Sequence, residues 1–136
     1  MVRSKFAIHV HILSLMGSFT DEWLTSEFIA GSLNSNAALV RKELSALRNA
    51  GLVESREGKN GGSRLARPLE NIRLSDVFAL VKEDHIFSFS PNDPNPDCLV
   101  GKNINKALDS LFTGIDDAVG RQLGQVTLAE FIKKHF

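Results

Sequence analysis

The spacing of hydrophobic residues predicts helices in the first part of the chain. Apolar residues recur on one face over residues 4–16, and Gly17 is expected to end this helix. Thr25 is a suitable N-cap for a second helix over Ser26–Leu33, whose buried stripe includes Phe28. Two helices are therefore predicted before the first polar break.

A third helix is predicted from about Ala37 to Ala50, because apolar residues again recur at helical spacing. Gly51 follows it and can adopt the left-handed conformation that often ends a helix. The break before this helix is the short polar stretch of residues 34–36. Two helices separated by so short a polar turn are typical of a helix-turn-helix.

A β-hairpin is predicted directly after the third helix. Residues 52–56 and 63–67 alternate between apolar and polar side chains, as half-buried strands do, and Pro68 ends the second run. The intervening residues 57–62 are rich in glycine and polar residues, which favours a turn. A hairpin in this position is the wing of a winged helix-turn-helix.

The second half of the chain predicts helices on either side of an irregular segment. Leu74–Val81 is predicted to be a short helix, whereas residues 84–97 hold three of the four prolines and predict a loop or a mobile linker. From about Leu99, apolar residues step by three, four or five positions, which predicts an amphipathic helix of over twenty residues. Thr127–Glu130 has the sequence of a capping box at the start of a last short helix.

The predicted fold is mainly α with a small β-hairpin, as a winged helix-turn-helix domain followed by a long C-terminal dimerisation helix. Its expected parts are a DNA-binding domain over residues 1–82, a linker loop over 83–98 and a helical dimerisation region over 99–136. Three large aromatic residues are expected in the core: Trp23, Phe28 and Phe78.

Composition favours a soluble protein of the cytoplasm. The 136 residues are 43% hydrophobic and 24% charged, which provides enough apolar side chains for a core and argues against disorder. No apolar run approaches the roughly 18 residues that cross a bilayer, so no membrane association is expected. His9 and His11 interrupt the apolar residues near the N-terminus, which argues against a signal peptide. A single cysteine fits a reducing compartment.

The net charge of zero conceals a basic segment. Residues 34–73 contain eight Lys and Arg against four acidic residues, whereas residues 74–136 contain six against nine. A locally basic segment is typical of a surface that meets a polyanion, although most charge clusters are only solvated faces. Because the helix-turn-helix lies in this segment, double-stranded DNA is the expected partner.

The third helix and the wing carry the residues expected to bind DNA. Ala38 is small enough to let the helix enter the major groove, Arg41 can bond a guanine edge, and Lys42 can meet a phosphate. The glycine pair of the wing predicts a flexible tip that approaches the sugar-phosphate backbone. The candidate DNA-binding residues are Ser35, Asn36, Ala38, Arg41, Lys42, Ser45, Arg48, Arg56, Lys59, Asn60, Gly61, Gly62 and Arg64.

Other functions are less well supported by the residues. The alternative is a winged-helix module that binds proteins and not DNA, which the zero net charge leaves open. An enzyme is not expected, because Asp116 and Asp117 diverge by about 100° on a helix and make a poor acid–base pair. His9 and His11 fall on different helix faces and are expected to be partly exposed, so no metal site and no cofactor are expected.

Several sequence blocks resemble the Rrf2-type family of winged-helix regulators. They are LSALRNAGLV at 44–53, KNGGSRLARP at 59–68 and Ile72–Val77, and the resemblance continues through the long helix to Thr127–Ala129. The family usually has a third glycine and an aromatic residue where this chain has Asn60 and the pair at 63–64. The wing tip is therefore expected to be set differently from that of its relatives.

The resemblance implies a repressor that binds a palindromic operator as a homodimer, with its recognition helices about one DNA turn apart. The residues agree, because so long an amphipathic helix has more apolar surface than one small domain covers. The alternative is a helix folded wholly onto its own domain. The apolar residues expected in the dimer interface are Ile104, Leu108, Leu111, Ile115 and Leu123.

Iron–sulfur members of the family carry three cysteines between the winged domain and the dimer helix, whereas this chain has only Cys98. A cluster needs several thiolate ligands, so cluster sensing is not expected. The dipole of the long helix favours a thiolate at Cys98, and neighbouring Asp97 opposes it. Cys98 is therefore either a sensor of an oxidant or a small buried residue without reactivity. A small-molecule effector is the other open alternative.

Overall fold

The computed structural model describes residues 2–82 and 85–136; Met1 and the first two residues of the predicted linker, 83 and 84, lie outside the described residues. The described chain is mainly helical with one antiparallel hairpin, so the predicted fold class is confirmed. In chain order the elements are α1 Val2–Ser18, α2 Ser26–Leu33, α3 Ala37–Asn49, β1 Val53–Arg56, β2 Gly62–Leu65, a 3₁₀ turn Leu69–Asn71, α4 Leu74–Val81, α5 Leu99–Leu123 and α6 Leu128–His135.

The turn between α2 and α3 is defined by capping residues at both of its ends. Thr25 accepts a hydrogen bond from the backbone N–H of Phe28 at 3.1 Å and so begins α2, as predicted. Asn34 adopts the left-handed conformation with φ of 54° and ends α2. Asn36 then accepts from the N–H of Leu39 at 2.9 Å and begins α3. The polar break therefore has the capping chemistry of a tight turn between two helices.

The core lies where α1, α2, α3 and the hairpin meet, and α4 and α6 close it from the other side of α1. Each of these helices contributes one apolar stripe, so the core consists of helix side chains packed on one another and not of the face of a large sheet. The fully buried apolar residues include Ile12, Leu13, Met16, Ile29, Val40, Leu47, Leu52, Ile72, Val77 and Leu128.

The hairpin is fixed to the rest of the domain through its second strand. Backbone hydrogen bonds join Leu24 N–H to Ser63 O at 2.9 Å and Ser63 N–H to Leu24 O at 2.8 Å. Gly62 has a φ of 153°, and a Cβ there would lie 2.5 Å from the carbonyl oxygen of Leu24. The close approach of the 23–24 backbone therefore requires glycine at this position.

The C-terminal end of α5 is bonded back to the winged domain. The Arg73 guanidinium donates to the carbonyl of Gly124 at 2.8 Å, and Leu74 N–H donates to Val126 O at 3.0 Å. The predicted N-cap of the last helix is confirmed, because the Thr127 hydroxyl oxygen accepts from the N–H of Glu130 at 3.1 Å. The last helix thereby continues into the core and does not hang free.

The first helix is longer than predicted, and the expectation that Gly17 ends it is wrong. The helix runs through this glycine to Ser18. A Cβ on Gly17 would collide with the side chain of Ile132 in α6, so the glycine allows two helices to pack closely. Its role is in tertiary packing, which the local sequence does not reveal.

Two of the three aromatic residues expected in the core lie at the surface. Phe78 is buried, but Phe28 is 49% exposed and packs edge-on against the exposed Phe19. Trp23 is only half-buried and lies beside the hairpin. Within the described residues, no helix is long and apolar enough to cross a membrane.

Candidate nucleic-acid interface

The recognition helix α3 presents one polar face to solvent. Its apolar residues Val40, Leu44 and Leu47 are buried in the core, which fixes the rotation of the helix about its axis. The opposite face carries most of the predicted DNA-binding residues: Ala38, Arg41, Lys42 and Arg48 are exposed, Ser45 is half-buried, and Ser35 and Asn36 are exposed at the preceding turn. The fold therefore brings these residues together on one surface.

A buried hydrogen bond joins α3 to α1, and the sequence analysis missed it. His9 donates from Nε2 to the Glu43 carboxylate at 3.2 Å, and both side chains are almost fully buried. The expectation that His9 is partly exposed is therefore wrong, whereas His11 is exposed and bonds Ser32. Glu43 lies between Val40 and Leu44 in the apolar stripe of α3. An acidic residue in that stripe was the feature of the sequence that could have indicated a buried polar partner.

The end of the recognition helix is linked to the wing by a short chain of hydrogen bonds. Arg48 donates to the hydroxyl of Ser55 on β1 at 3.1 Å. The Ser55 hydroxyl lies 2.7 Å from that of Ser63 on β2, which is buried. Arg48 therefore contributes to the joint between helix and wing as well as to the exposed face of α3.

The tip of the wing is formed by Gly58, Lys59 and Asn60, and the expectation of a flexible Gly61-Gly62 tip is wrong. Both glycines are half-buried. A Cβ on Gly61 would collide with the carbonyl oxygen of Arg56, and Gly62 is confined by the backbone of Leu24. The glycine pair therefore lets the chain turn sharply, while Lys59 and Asn60 at the tip are exposed.

The two wing arginines pack on one tryptophan. The guanidinium carbon of Arg64 lies 4.1 Å from the centre of the Trp23 ring and that of Arg56 lies 4.6 Å from it. Arg64 also pairs with Glu54 at 2.7 Å, and Arg56 donates to the carbonyl of Asn60 at 2.6 Å. The sequence predicted that the two arginines bind DNA but placed Trp23 in the core. The contact could not be foreseen, because the arginines lie 33 and 41 residues from Trp23 along the chain.

The long helix α5 contacts its own subunit on one face only. Phe112 and Asp116 are buried on the face that packs on α4, and Leu123 falls on the same face at 100° per residue. The other predicted dimer residues, Ile104, Leu108, Leu111 and Ile115, fall on a second face; Leu111 is 58% exposed and the other three are half-buried. The fold groups these four into one apolar stripe and separates Leu123 from them.

Cys98 is the N-cap residue of α5 and is exposed. The alternative that it is a small buried residue is therefore wrong. Its neighbours Leu99 and Val100 are also exposed, at 79% and 65%. The thiol thus stands in solvent at the beginning of the apolar stripe.

The residues present do not fit an iron–sulfur cluster. Cys98 is the single cysteine of the chain, and the described residues contain no group of three or more His, Cys, Asp or Glu side chains that could hold a metal ion. Among the described histidines, His85 is the nearest to Cys98 along the chain, and both of its ring nitrogens are already bonded to carboxylates. A cluster needs several thiolate ligands, which this chain cannot supply.

His85 ties the linker to α5, and this cluster was also missed. Its Nε2 bonds Asp109 at 2.8 Å and its Nδ1 bonds Asp116 at 2.6 Å. The buried Asp116 carboxylate also accepts from Ile86 N–H at 3.0 Å and lies 3.9 Å from the Lys82 ammonium. Segment 85–98 has no regular structure, as predicted, but its first residues are bound to α5.

The two carboxylates stabilise the charged form of the imidazole. Hydrogen bonds first from Asp109 and then from Asp116 raise the pKa of His85 above its ordinary value of 6.5. Burial favours the neutral form of Asp116, but the Ile86 N–H, the His85 ring and Lys82 together lower the pKa of this carboxyl below 3.8. The charged imidazole is therefore stabilised by the two carboxylates that bond it.

Comparison with known proteins identifies relatives over the whole chain. The family model Rrf2, described as an iron-dependent transcriptional regulator, matches residues 2–134. The HTH-type transcriptional regulator YwnA of Bacillus subtilis (strain 168) is 37% identical over the full length of both chains. The solved structure of a transcriptional regulator from Lactobacillus plantarum is similar with a TM-score of 0.78 and 28% identity, covering 93% of this chain and 86% of that one.

A further solved structure supports the fold alone. CymR, the global cysteine regulator of B. subtilis, is similar with a TM-score of 0.71 and 23% identity. The match covers 97% of this chain and 95% of that one, so the similarity includes the long helix as well as the winged domain.

The His85 cluster predicts a pH-dependent stability. Because the folded-state pKa of His85 is raised, its contribution is complete below 6.5 and is lost as the pH rises through the folded-state value. The difference in unfolding free energy between wild type and His85→Gln should therefore be larger at about pH 5.5 than at about pH 9. Urea unfolding at both pH values measures it.

Two carboxylate variants make the test specific. Asp109→Asn removes the first partner of His85 and should reduce the pH dependence, whereas Asp117→Asn removes the same charge from an exposed position on the next residue after Asp116 and should leave it unchanged. If the difference in unfolding free energy between wild type and His85→Gln stays constant over this pH range, the stabilisation of the charged imidazole by the two carboxylates is contradicted.

Proposed function

We propose that this chain, which belongs to the Rrf2 family of transcriptional regulators, represses transcription by binding a palindromic DNA operator as a homodimer. The family establishes the broader role, a DNA-binding regulator of transcription and not an enzyme. The observation that carries the finer proposal is the exposed polar face of α3, which Arg48 joins to the wing through its hydrogen bond to Ser55.

The first half of α3 has the side chains that major-groove binding requires. Ala38 leaves room for close approach of the helix to the bases, and Arg41, one turn later on the same face, can bond guanine with two hydrogen bonds. Lys42 lies beside them and can meet a phosphate. Arg41 and Lys42 make no ion pair within the described residues, so their charges are available to a ligand.

Two of the four acidic residues of the basic segment 34–73 are partnered. Glu43 is buried against His9, and Glu54 is paired with Arg64. Lys59 at the wing tip is exposed and makes no ion pair in the described chain, and the acidic residue next to the tip is Glu57, also exposed. With eight Lys and Arg against four acids, the segment keeps a local excess of cations although the net charge of the chain is zero, which suits binding to a polyanion.

The apolar stripe of α5 supports the homodimer. A helix of 25 residues is about 37 Å long, whereas α4, the element on which it packs, is about 12 Å long. A second apolar surface, a groove of about 650 Å³ lined by residues of α1 and α6 including Phe6, Val10 and Phe131, lies on the same chain. A two-fold partner that contributes its own α5 covers both kinds of surface.

Selection of bound fragments from genomic DNA, followed by fluorescence anisotropy on a selected site, tests DNA recognition. Arg41→Ala should weaken binding by about 10- to 100-fold and relax the preference at one base pair. Lys59→Ala should weaken binding to all DNA sequences alike. It should also reduce the magnitude of the slope of log affinity against log salt concentration by about one. Lys133→Ala, an exposed cation on α6, is the control and should change neither. Binding without any sequence preference at moderate salt would reject the proposal.

Light scattering on a sizing column tests the dimer. Leu111→Glu alters a residue that is already 58% exposed in the subunit, so the unfolding free energy of a lone subunit should change by only about 0.5 kcal/mol. In a dimer the same charge is buried, and the measured mass should fall from two chains to one. Ser110→Glu places the same side chain at an exposed position about 100° around α5 from Leu111, outside the apolar stripe, and should leave a dimer. Equal masses for the two variants would contradict this interface.

Oxidation of Cys98 is proposed as the signal that alters DNA affinity. The exposed thiol precedes Leu99 and Val100 at the start of the proposed interface, so a polar oxidised sulfur there would disturb its packing. Wild-type protein treated with hydrogen peroxide should bind the operator several-fold more weakly than reduced protein, and Cys98→Ser should bind equally with and without peroxide. If treated and untreated wild type bind alike, the signal is a different one, such as a small molecule.

A further inference from the structure

We propose that Trp23 is a positioning residue of the DNA interface, whose indole holds the guanidinium groups of Arg56 and Arg64 in the orientation in which the wing meets DNA. This inference rests on the proposed function and adds a residue outside both the recognition helix and the wing. Trp23 lies in the extended link between α1 and α2.

The register of the hairpin places both arginines on one face. Arg56 pairs with Gly62 and Arg64 pairs with Glu54 across the two strands. Because side chains alternate between faces along a strand, Glu54, Arg56 and Arg64 share a face whose remaining position, Gly62, has no side chain. The indole lies beside this face, 4.1 Å and 4.6 Å from the two guanidinium carbons.

The indole is itself held in place by the backbone. The residue after Trp23, Leu24, makes two backbone hydrogen bonds with Ser63 of β2, so an isolated antiparallel bridge joins the link to the hairpin. A Cβ on Gly62 would lie 2.8 Å from the carbonyl carbon of Trp23, which shows how closely the two backbones pack. The tryptophan is therefore part of the wing although it is distant from it in sequence.

Stacking leaves most hydrogen-bond donors of the arginines available. A guanidinium packs on an aromatic ring with its flat face and donates hydrogen bonds from its edge. Arg64 uses its Nε–H for Glu54, and Arg56 uses one Nη2–H for the carbonyl of Asn60. Both side chains thus retain Nη–H groups that can bond phosphate oxygens.

The charges around the indole favour an anionic ligand. Two guanidinium groups pack on one ring, and the exposed Glu54 is the one carboxylate bonded to either of them in the described chain. An open concavity of about 560 Å³ beside the indole is lined by two cationic residues, Arg56 and Lys59, and by one acidic residue, Glu22. A phosphate of the DNA backbone fits the charge and the openness of this surface.

Preorganisation gives the expected size of the effect. A free arginine loses rotamer freedom when it binds, whereas an arginine stacked on a fixed ring has lost much of it already. Trp23→Leu should therefore weaken operator binding about three- to tenfold. It should leave the dependence of affinity on salt unchanged, because every cation is still present. Trp23→Phe retains an aromatic face and should restore most of the affinity.

A double-mutant cycle separates positioning from a general structural role. Arg56→Lys with Arg64→Lys keeps the charges but removes the flat stacking groups, so Trp23→Leu should have little further effect in that background. Phe87→Leu is the matched control, because Phe87 is an exposed aromatic residue whose ring partner is Phe112 and not a wing arginine; the operator affinity of this variant should equal that of wild type.

A fluorescence measurement on the folded wild-type protein supports the cycle. Trp23 is the single tryptophan of the chain, so its emission reports on this stack alone. Acrylamide should quench the wild type less than the double Lys variant, because the guanidinium groups shield the ring. Equal quenching would overturn the stacking, and this measurement does not depend on how well Trp23→Leu folds.

The outcomes distinguish this inference from the proposed function. If wild type shows no operator preference, the proposed function fails and the inference fails with it. If Arg41→Ala weakens binding and Trp23→Leu does not, the proposed function stands and the inference alone is overturned. Additive effects of Trp23→Leu and the two Lys substitutions would likewise overturn it, because they would assign the tryptophan a structural role only.

Discussion

The pair of backbone hydrogen bonds between Leu24 and Ser63 is the constraint on which the proposed DNA-binding surface depends. Those bonds fix the second strand of the wing to the link that precedes the recognition motif. On one face of the hairpin the buried Ser63 hydroxyl continues through Ser55 to Arg48 at the end of α3. On the other face Trp23 packs against the wing arginines. A single bridge thereby sets the wing relative to both the helix and the link.

The rotation of α3 is fixed from the opposite side by apolar packing and one buried pair. Apolar side chains alone tolerate small rotations of a helix, but Glu43 must keep its bond to His9, since a buried polar group left without a hydrogen-bond partner costs about 1–3 kcal/mol. A rotation by one residue, about 100°, would expose Glu43 and turn the neighbouring Lys42 toward the core. The same pair removes an acid from the cationic face, so one interaction serves both geometry and electrostatics.

Features that depend on local sequence could be predicted, and those that depend on distant partners could not. The bounds of α2 and α4 and the caps at Thr25 and Asn36 follow from residues within one turn of the helix end. His9 and Glu43 are 34 residues apart, and His85 lies 24 and 31 residues from its two carboxylates, so no local pattern relates them. Gly17 was wrongly predicted to end α1 for the same reason. A glycine that allows two helices to pack closely cannot be told from a glycine that ends a helix by the local sequence alone.

The attachment of the winged domain to α5 bears on how such a protein can respond to a signal. The domain is fixed at the end of α5 by Arg73 on Gly124, and again about 12 Å back along the helix axis, where α4 packs on α5 and the Lys82 ammonium lies 3.9 Å from the Asp116 carboxylate. Two separated attachments resist rotation of the domain about either one. In the proposed dimer, reading both half-sites requires the recognition helices to be held one DNA turn apart, so this angle matters as much as the residues of α3. A signal acting on the linker or at the start of α5 can therefore change DNA affinity without touching the DNA-binding surface.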